Sequence, residues 1–127
     1  YWADRHPDHV SASELITEAV FSAGLRRYAA AGDPWRPERL CYYFINDAGP
    51  ASFVVDVSGH YEQKRRALAC YASQFTRATE YADTRLNSTS FSQLIESRDA
   101  QFGALAGVKF AEGIYVSEPV VRSGVLK

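Results

Sequence analysis

Apolar positions along the chain follow helical and strand-like rhythms in turn. Behind Ser11-Ala12-Ser13-Glu14, the residues Ala12, Leu15, Ile16, Ala19, Val20 and Ala23 recur at helical spacing. The Ser-x-x-Glu spacing is that of a capping box, so the pattern predicts a helix starting near residue 12 and stopping at Gly24. Ala31 to Pro37 carries the Gly, Asp and Pro content of a loop. Arg39 to Ile45 reads as a strand apolar on both faces, as in a sheet covered by helices on each side. After Asp47-Ala48-Gly49-Pro50, the branched residues of Ser52 to Val57 predict a second strand.

Ser58 is expected to cap a further helix, with Glu62 in its first turn and Tyr61, Leu68, Tyr71, Ala72 and Phe75 as its apolar stripe. Ser90-x-x-Gln93 is a second capping box, opening a helix with Phe91, Leu94, Ile95, Phe102 and Leu105 inward and Gly107 near its end. Ile114-Tyr115-Val116 predicts a short edge strand before Pro119. Helices alternating with strands point to a three-layer α/β sheet in one domain spanning residues 1–127. Two or three strands are few for such a sheet. The chain has no methionine and begins with Tyr1, so the expectation is the C-terminal portion of a longer domain.

Composition narrows the function classes. Of 127 residues, 46% are hydrophobic and 23% charged, as in a globular domain rather than a disordered one. Lys+Arg 14 against Asp+Glu 15 leaves a net charge of −1, which argues against a nucleic-acid binder that works by neutralising phosphates. The longest apolar run, Leu40 to Ile45, is too short to span a bilayer, and the first residues lack the pattern of a signal peptide. A cytoplasmic location follows as an expectation. Cys41 and Cys70 are expected as small buried hydrophobes, not as a disulfide.

Candidate chemistry gathers at Arg5-His6-Pro7-Asp8-His9, just ahead of the first predicted helix. Histidine and aspartate are metal ligands and proton-transfer groups, and Pro7 forces His6 into an extended conformation. Three arrangements are open: both imidazoles on one metal, one on a metal while the other moves protons beside Asp8, or a surface loop whose Asp8 helps cap the helix. The stiff proline spacer favours the second over the first. A hydrolytic zinc needs about three protein ligands, and these residues offer one or two.

His6-Pro7-Asp8-His9 resembles the second signature of the LmbE-like, or PIG-L-type, zinc de-N-acetylases. Within that family, the chain is similar to the C-terminal half of the bacterial deacetylases of bacillithiol biosynthesis, which act on N-acetylglucosaminyl malate. The resemblance runs from Asp4 to about Leu126. It takes in Phe21 to Gly24, Arg36-Pro37, Tyr42-Tyr43-Phe44, Ser52 to Ser58, Tyr61 to Lys64 and Cys70 to Phe75. It continues through Glu96 to Arg98, Phe102 to Leu105, Gly107 to Lys109 and Glu112-Gly113.

The resemblance implies a Rossmann-like, three-layer LmbE-type fold and a zinc cofactor, with His9 as a zinc ligand. It implies that His6 stabilises the tetrahedral intermediate and protonates the leaving amine, with Asp8 orienting it. The other two ligands and the catalytic base belong to a His-Pro-Asp-Asp motif that this sequence does not contain. The implied reaction is hydrolysis of the N-acetyl group of an N-acetylglucosamine conjugate, with the 127 residues inactive alone. The implied partner is that small amino-sugar conjugate, with neither nucleic acid nor membrane, and family members form oligomers.

Arg36 is a candidate for holding a substrate carboxylate, against the simpler reading of an exposed loop arginine. Asn46 and Asp47 are placed for a substrate contact or a turn. Tyr71 stands where wider members of the family carry a histidine. Lys64-Arg65-Arg66 reads as a solvated helix face, His60 as solvent-facing, and Glu112 has no assigned role. Two other readings remain: a non-catalytic sugar-binding or assembly module on the same scaffold, and a deacetylase for a different amino-sugar conjugate.

Overall fold

The computed structural model describes residues 1–75 and 82–124, so Leu126, where the family resemblance ends, lies outside the described residues. Helix α1 spans Pro7–Ala23, starting five residues ahead of the predicted helix start. His6 is its N-cap, in extended conformation, and its side chain accepts a hydrogen bond from the Asp8 amide. Pro7 supplies a preset φ at the first helical position, where a missing N–H costs nothing. Ser11 therefore lies inside the helix. Gly24 does end it, its N–H reaching back to the Phe21 carbonyl and the Leu25 N–H to the Ser22 carbonyl.

The expected apolar stripe of α1 is not buried among the described residues. Leu15, Ile16 and Phe21 are exposed, and Ser13 is the helix's buried residue. Contact with the strands is polar instead: the Thr17 hydroxyl donates to the Ser13 carbonyl and lies 2.6 Å from the Tyr42 hydroxyl.

Strands β1 (Tyr42–Tyr43), β2 (Phe53–Asp56) and β3 (Ala111–Tyr115) form a sheet in the order β1-β3-β2. Both pairings are antiparallel, with Tyr42 opposite Tyr115 and Val54 opposite Gly113. The segment expected at the edge is thus the central strand. The run expected to be apolar on both faces alternates, with Tyr42 and Phe44 buried and Tyr43 exposed. Together these make a small antiparallel sheet with helices, an α/β arrangement.

A 3-10 turn (Ser58–His60) leads into α2 (Tyr61–Ala69), followed by the short α3 (Ala72–Phe75). Ser58 does not cap α2. Its hydroxyl donates to the Phe110 carbonyl and accepts from the Phe110 amide, fastening the chain beside β3.

Helix α4 (Thr89–Ala106) is capped by Ser88, whose hydroxyl accepts from the Phe91 amide, so the cap lies two residues before the predicted Ser90. Gly107 closes it in the left-handed region at φ 76°, a conformation that favours glycine. Phe91, Ile95, Asp99, Phe102 and Gly103 form its buried face. Phe102 joins Phe44 and Ala111 in the core, packed by Val54, Val108 and Tyr115. A Cβ on Gly113 would meet the Phe102 ring at 2.6 Å, so β3 can lie against α4 only where that side chain is absent. Cys41 and Cys70 are free and exposed, contrary to the expected burial.

Candidate functional site: a carboxylate-held histidine at a helix start

The extended backbone of Asp4 to His6 and the first turn of α1 fold the two histidines together. Their ring centroids are 4.9 Å apart. Between them and the end of β1 lies Asp4, whose side chain is only 4% exposed. Its Oδ1 accepts from the His6 amide at 2.8 Å and the Asn46 side-chain amide at 2.7 Å, and lies 3.0 Å from His9 Nδ1. Its Oδ2 accepts from the Asn46 backbone N–H at 3.2 Å. Burial alone would push this carboxyl's pKa up, but the hydrogen bonds from His6, Asn46 and His9 outweigh it and hold it at about 2.

An ionised carboxylate only accepts, so the contact calls for a proton on His9 Nδ1, and in the neutral ring Nε2 then carries the lone pair. This is the way an imidazole is prepared as a metal ligand, with its other nitrogen held by a carboxylate. His6 is set up differently. Its Nδ1 accepts from the Asp8 amide at 3.2 Å, so in the neutral ring the proton sits on Nε2. The Asp8 carboxylate is 87% exposed and stands 4.0 Å from His6 Nδ1. Protonation of Nδ1 would end the amide bond and turn that nitrogen toward this carboxylate.

Both histidines open onto a cavity of about 680 Å³. Tyr43, Asn46, Lys64, Arg98, Asp99 and Glu112 also line it. Asp99 is fully buried and accepts from the Tyr61 hydroxyl at 3.1 Å and from Lys64 Nζ at 2.6 Å. Lys64 also pairs with Glu112, so it leaves the solvated face expected of Lys64-Arg65-Arg66 and gives Glu112 a partner. Arg65 stays outside, pairing with Glu62 and Glu96. Burial, then the nearby Asp99 charge and the bond to it, raise the Tyr61 phenol well above its ordinary range.

Other sequence candidates are placed elsewhere. Arg36 is not brought to the histidines. Its side chain packs on Gly24 at the far end of α1 and lines a separate cavity with Thr17 and Tyr42. His60 is exposed in the 3-10 turn, Asp47 is exposed, and Tyr71 lies exposed on the cavity rim. Asn46 is buried and serves Asp4. Sequence reasoning missed Asp4 as a functional residue. The signal for it was the Asp4-x-His6 spacing, which lets an aspartate accept from the amide two residues on.

Comparison with known proteins bears on what this geometry does. The chain is 32% identical over 110 residues to a 1D-myo-inositol 2-acetamido-2-deoxy-alpha-D-glucopyranoside deacetylase of Rhodococcus opacus (strain B4), covering 61% of this chain and 37% of that protein. It is 28% identical over 110 residues to the deacetylase of the same name from Rhodococcus jostii (strain RHA1), with the same coverage. Among solved structures, the conserved protein TT1542 from Thermus thermophilus superposes with a TM-score of 0.81 at 34% identity. That match covers 96% of this chain and 51% of the Thermus protein. No family model matches the chain. The chain thus spans 37% of the curated relatives' length, and what it resembles is part of a deacetylase of an amino-sugar conjugate.

Among the described residues, no group of three or more His, Cys, Asp or Glu side chains is placed to hold a metal ion. His9 alone fits as one ligand, by its engaged Nδ1 and free Nε2. No helix among the described residues is long and apolar enough to cross a membrane.

Proposed function

We propose that this chain supplies one part of the site of a zinc-dependent N-deacetylase acting on an amino-sugar conjugate. The observation that carries the reading is the Asp4–His9 contact of 3.0 Å beside His6, at the mouth of a cavity large enough for a sugar. The resemblance of His6-Pro7-Asp8-His9 to the LmbE-like signature and the similarity to the Rhodococcus deacetylases support it. The three-layer LmbE-type fold, a cytoplasmic location and N-acetylglucosaminyl malate as substrate belong to the same proposal. Because His9 is one ligand, the remaining ligands and the base would come from sequence N-terminal to these residues in the intact domain.

In this reading His9 would hold the metal through Nε2, with Asp4 fixing the ring and raising its basicity. What a bound zinc supplies is polarisation of the acetyl carbonyl and a water whose pKa is brought toward roughly 7. His6 in its doubly protonated form, facing Asp8, donates from Nε2 to the amine as the carbon–nitrogen bond breaks. The products are acetate and a free amino sugar. Arg36 lines a separate cavity, so an anion-holding role for it requires a substrate that extends beyond the one beside the histidines.

The test is His9→Ala in the full-length protein. Zinc content is expected to fall sharply and acetate release from N-acetylglucosaminyl conjugates to be lost; near-normal zinc content would remove His9 from the ligand set. The 127 residues given zinc in excess are expected to release no acetate, and release would overturn the split-site reading. Profiling malate, inositol and other conjugates on the full-length enzyme separates the substrates.

A further inference from the structure

We propose that Arg98, on α4, is a positioning residue for His9, acting through Asn46 and Asp4. The inference rests on the reading of His9 as a metal ligand and adds what sets that ligand in place. Helix α1 buries only Ser13, so hydrophobic packing does not fix where its first turn lies. A polar chain does. Asp4 holds His9, and Asn46 holds Asp4 with both its side-chain and backbone N–H groups. Asn46 in turn follows Phe44 and Ile45, beyond the end of β1, where the strand ladder no longer supplies partners.

Arg98 supplies them. Its Nη1 donates to the Phe44 carbonyl at 3.0 Å and to the Ile45 carbonyl at 2.7 Å. The rest of the same planar group faces Asp99 Oδ1, with Nε and Nη2 each 3.1 Å away. Asp99 is itself locked by Tyr61 and Lys64. The guanidinium therefore spans a buried anion on one edge and two carbonyls on the other. A lysine ammonium, a point charge on a flexible stem, can balance Asp99 but cannot hold that fork. If Arg98 served only to neutralise Asp99, lysine would replace it without consequence for the metal.

The test uses the full-length protein with Zn2+ and Co2+ as probes, and the variants Arg98→Lys, Asn46→Ala, their double and His9→Ala. Zn2+ affinity is read by competition with a chelating dye, and ligand geometry by the visible absorption of bound Co2+. Arg98→Lys and Asn46→Ala are each expected to weaken Zn2+ about tenfold, the usual cost of losing support behind a ligand, and to alter the Co2+ spectrum alike. The double variant is expected to bind no more weakly than either single one, because both cut the same chain. Wild-type affinity and spectrum in either single variant, or losses that multiply in the double, overturn the inference. Where Arg98→Lys fails to fold, wild-type affinity and spectrum in Asn46→Ala still overturn the inference. Wild-type affinity in His9→Ala would overturn the ligand reading itself.

Discussion

Helices α1 and α4 are nearly equal in length, at 17 and 18 residues, yet they are held in opposite ways. Helix α4 buries five residues, and its Phe102 packs with Phe44 and Ala111 in the core. Helix α1 buries one residue and is tied down by polar contacts at Thr17, His9 and the Asp4 side chain. The catalytic candidates lie on the second kind of helix. Packing energy builds the platform, while directional hydrogen bonds aim the histidines, because hydrophobic contact fixes distance but not the orientation of a ring nitrogen.

The sharpest way to break that contrast is to truncate one aromatic on each helix. Phe102→Ala removes a buried ring packed over Gly113, where no side chain stands. We expect a loss of about 3–5 kcal/mol in chemical denaturation. Phe21 on α1 is 60% exposed, and Phe21→Ala should stay within about 0.5 kcal/mol. Equal losses would mean that α1 is packed against apolar surface after all and that the polar chain is not what holds it.

A smaller effect sharpens the comparison on the α4 side. The Tyr61 hydroxyl donates to the buried Asp99 carboxylate, and its ring stacks on Phe110 with centroids 3.7 Å apart. Tyr61→Phe keeps the stack and deletes the bond, which should cost about 1.5–3 kcal/mol for a charged acceptor. The pH dependence carries a sign. The folded phenol titrates above its ordinary value, so its contribution is complete below the unfolded pKa of roughly 10 and is lost as pH rises through the folded one. The stability gap between wild type and Tyr61→Phe should therefore hold from neutrality to about pH 9 and narrow in stronger alkali. Absorbance titration of the phenols should show a late tyrosine step that the variant lacks.

The same contrast explains what the sequence reveals. Helix α4 is largely legible because burial imposes its period: Phe91, Ile95 and Phe102 are both apolar pattern and buried face, while Leu105, expected inward, is exposed. The stretch that becomes α1 shows the same rhythm, but the described residues leave Leu15 and Ile16 exposed, so the pattern predicts the helix without its partner. The alternation along Tyr42-Tyr43-Phe44 is hidden in the sequence because every residue is aromatic, and the run therefore reads as buried on both faces. In the site, the histidines are legible from residue type. The Asp4-x-His6 spacing hints at Asp4, but its bond to Asn46 joins residues 42 apart in sequence, and no local pattern records that pairing. Arg98, further still from Asn46 in sequence, is invisible for the same reason.

Helix starts give the finest form of the comparison. The Ser-x-x-Glu and Ser-x-x-Gln spacings place caps at Ser11 and Ser90, but the orphan amides are met by His6 on α1 and Ser88 on α4. Each motif lies inside its helix, where a serine side chain gains nothing from capping. On α1 the start is set by Pro7, whose fixed φ begins the helix before the motif is reached. Ser88→Ala removes the acceptor for the Phe91 amide and should cost about 1 kcal/mol. Ser90→Ala and Ser11→Ala, at exposed helical positions, should be neutral or slightly stabilising, since alanine is the better helix former. Denaturation midpoints of the three variants decide it. A loss at Ser11 comparable to that at Ser88 would show that α1 begins where the motif says, and would leave His6 and His9 in the loop that the spacing alone implies.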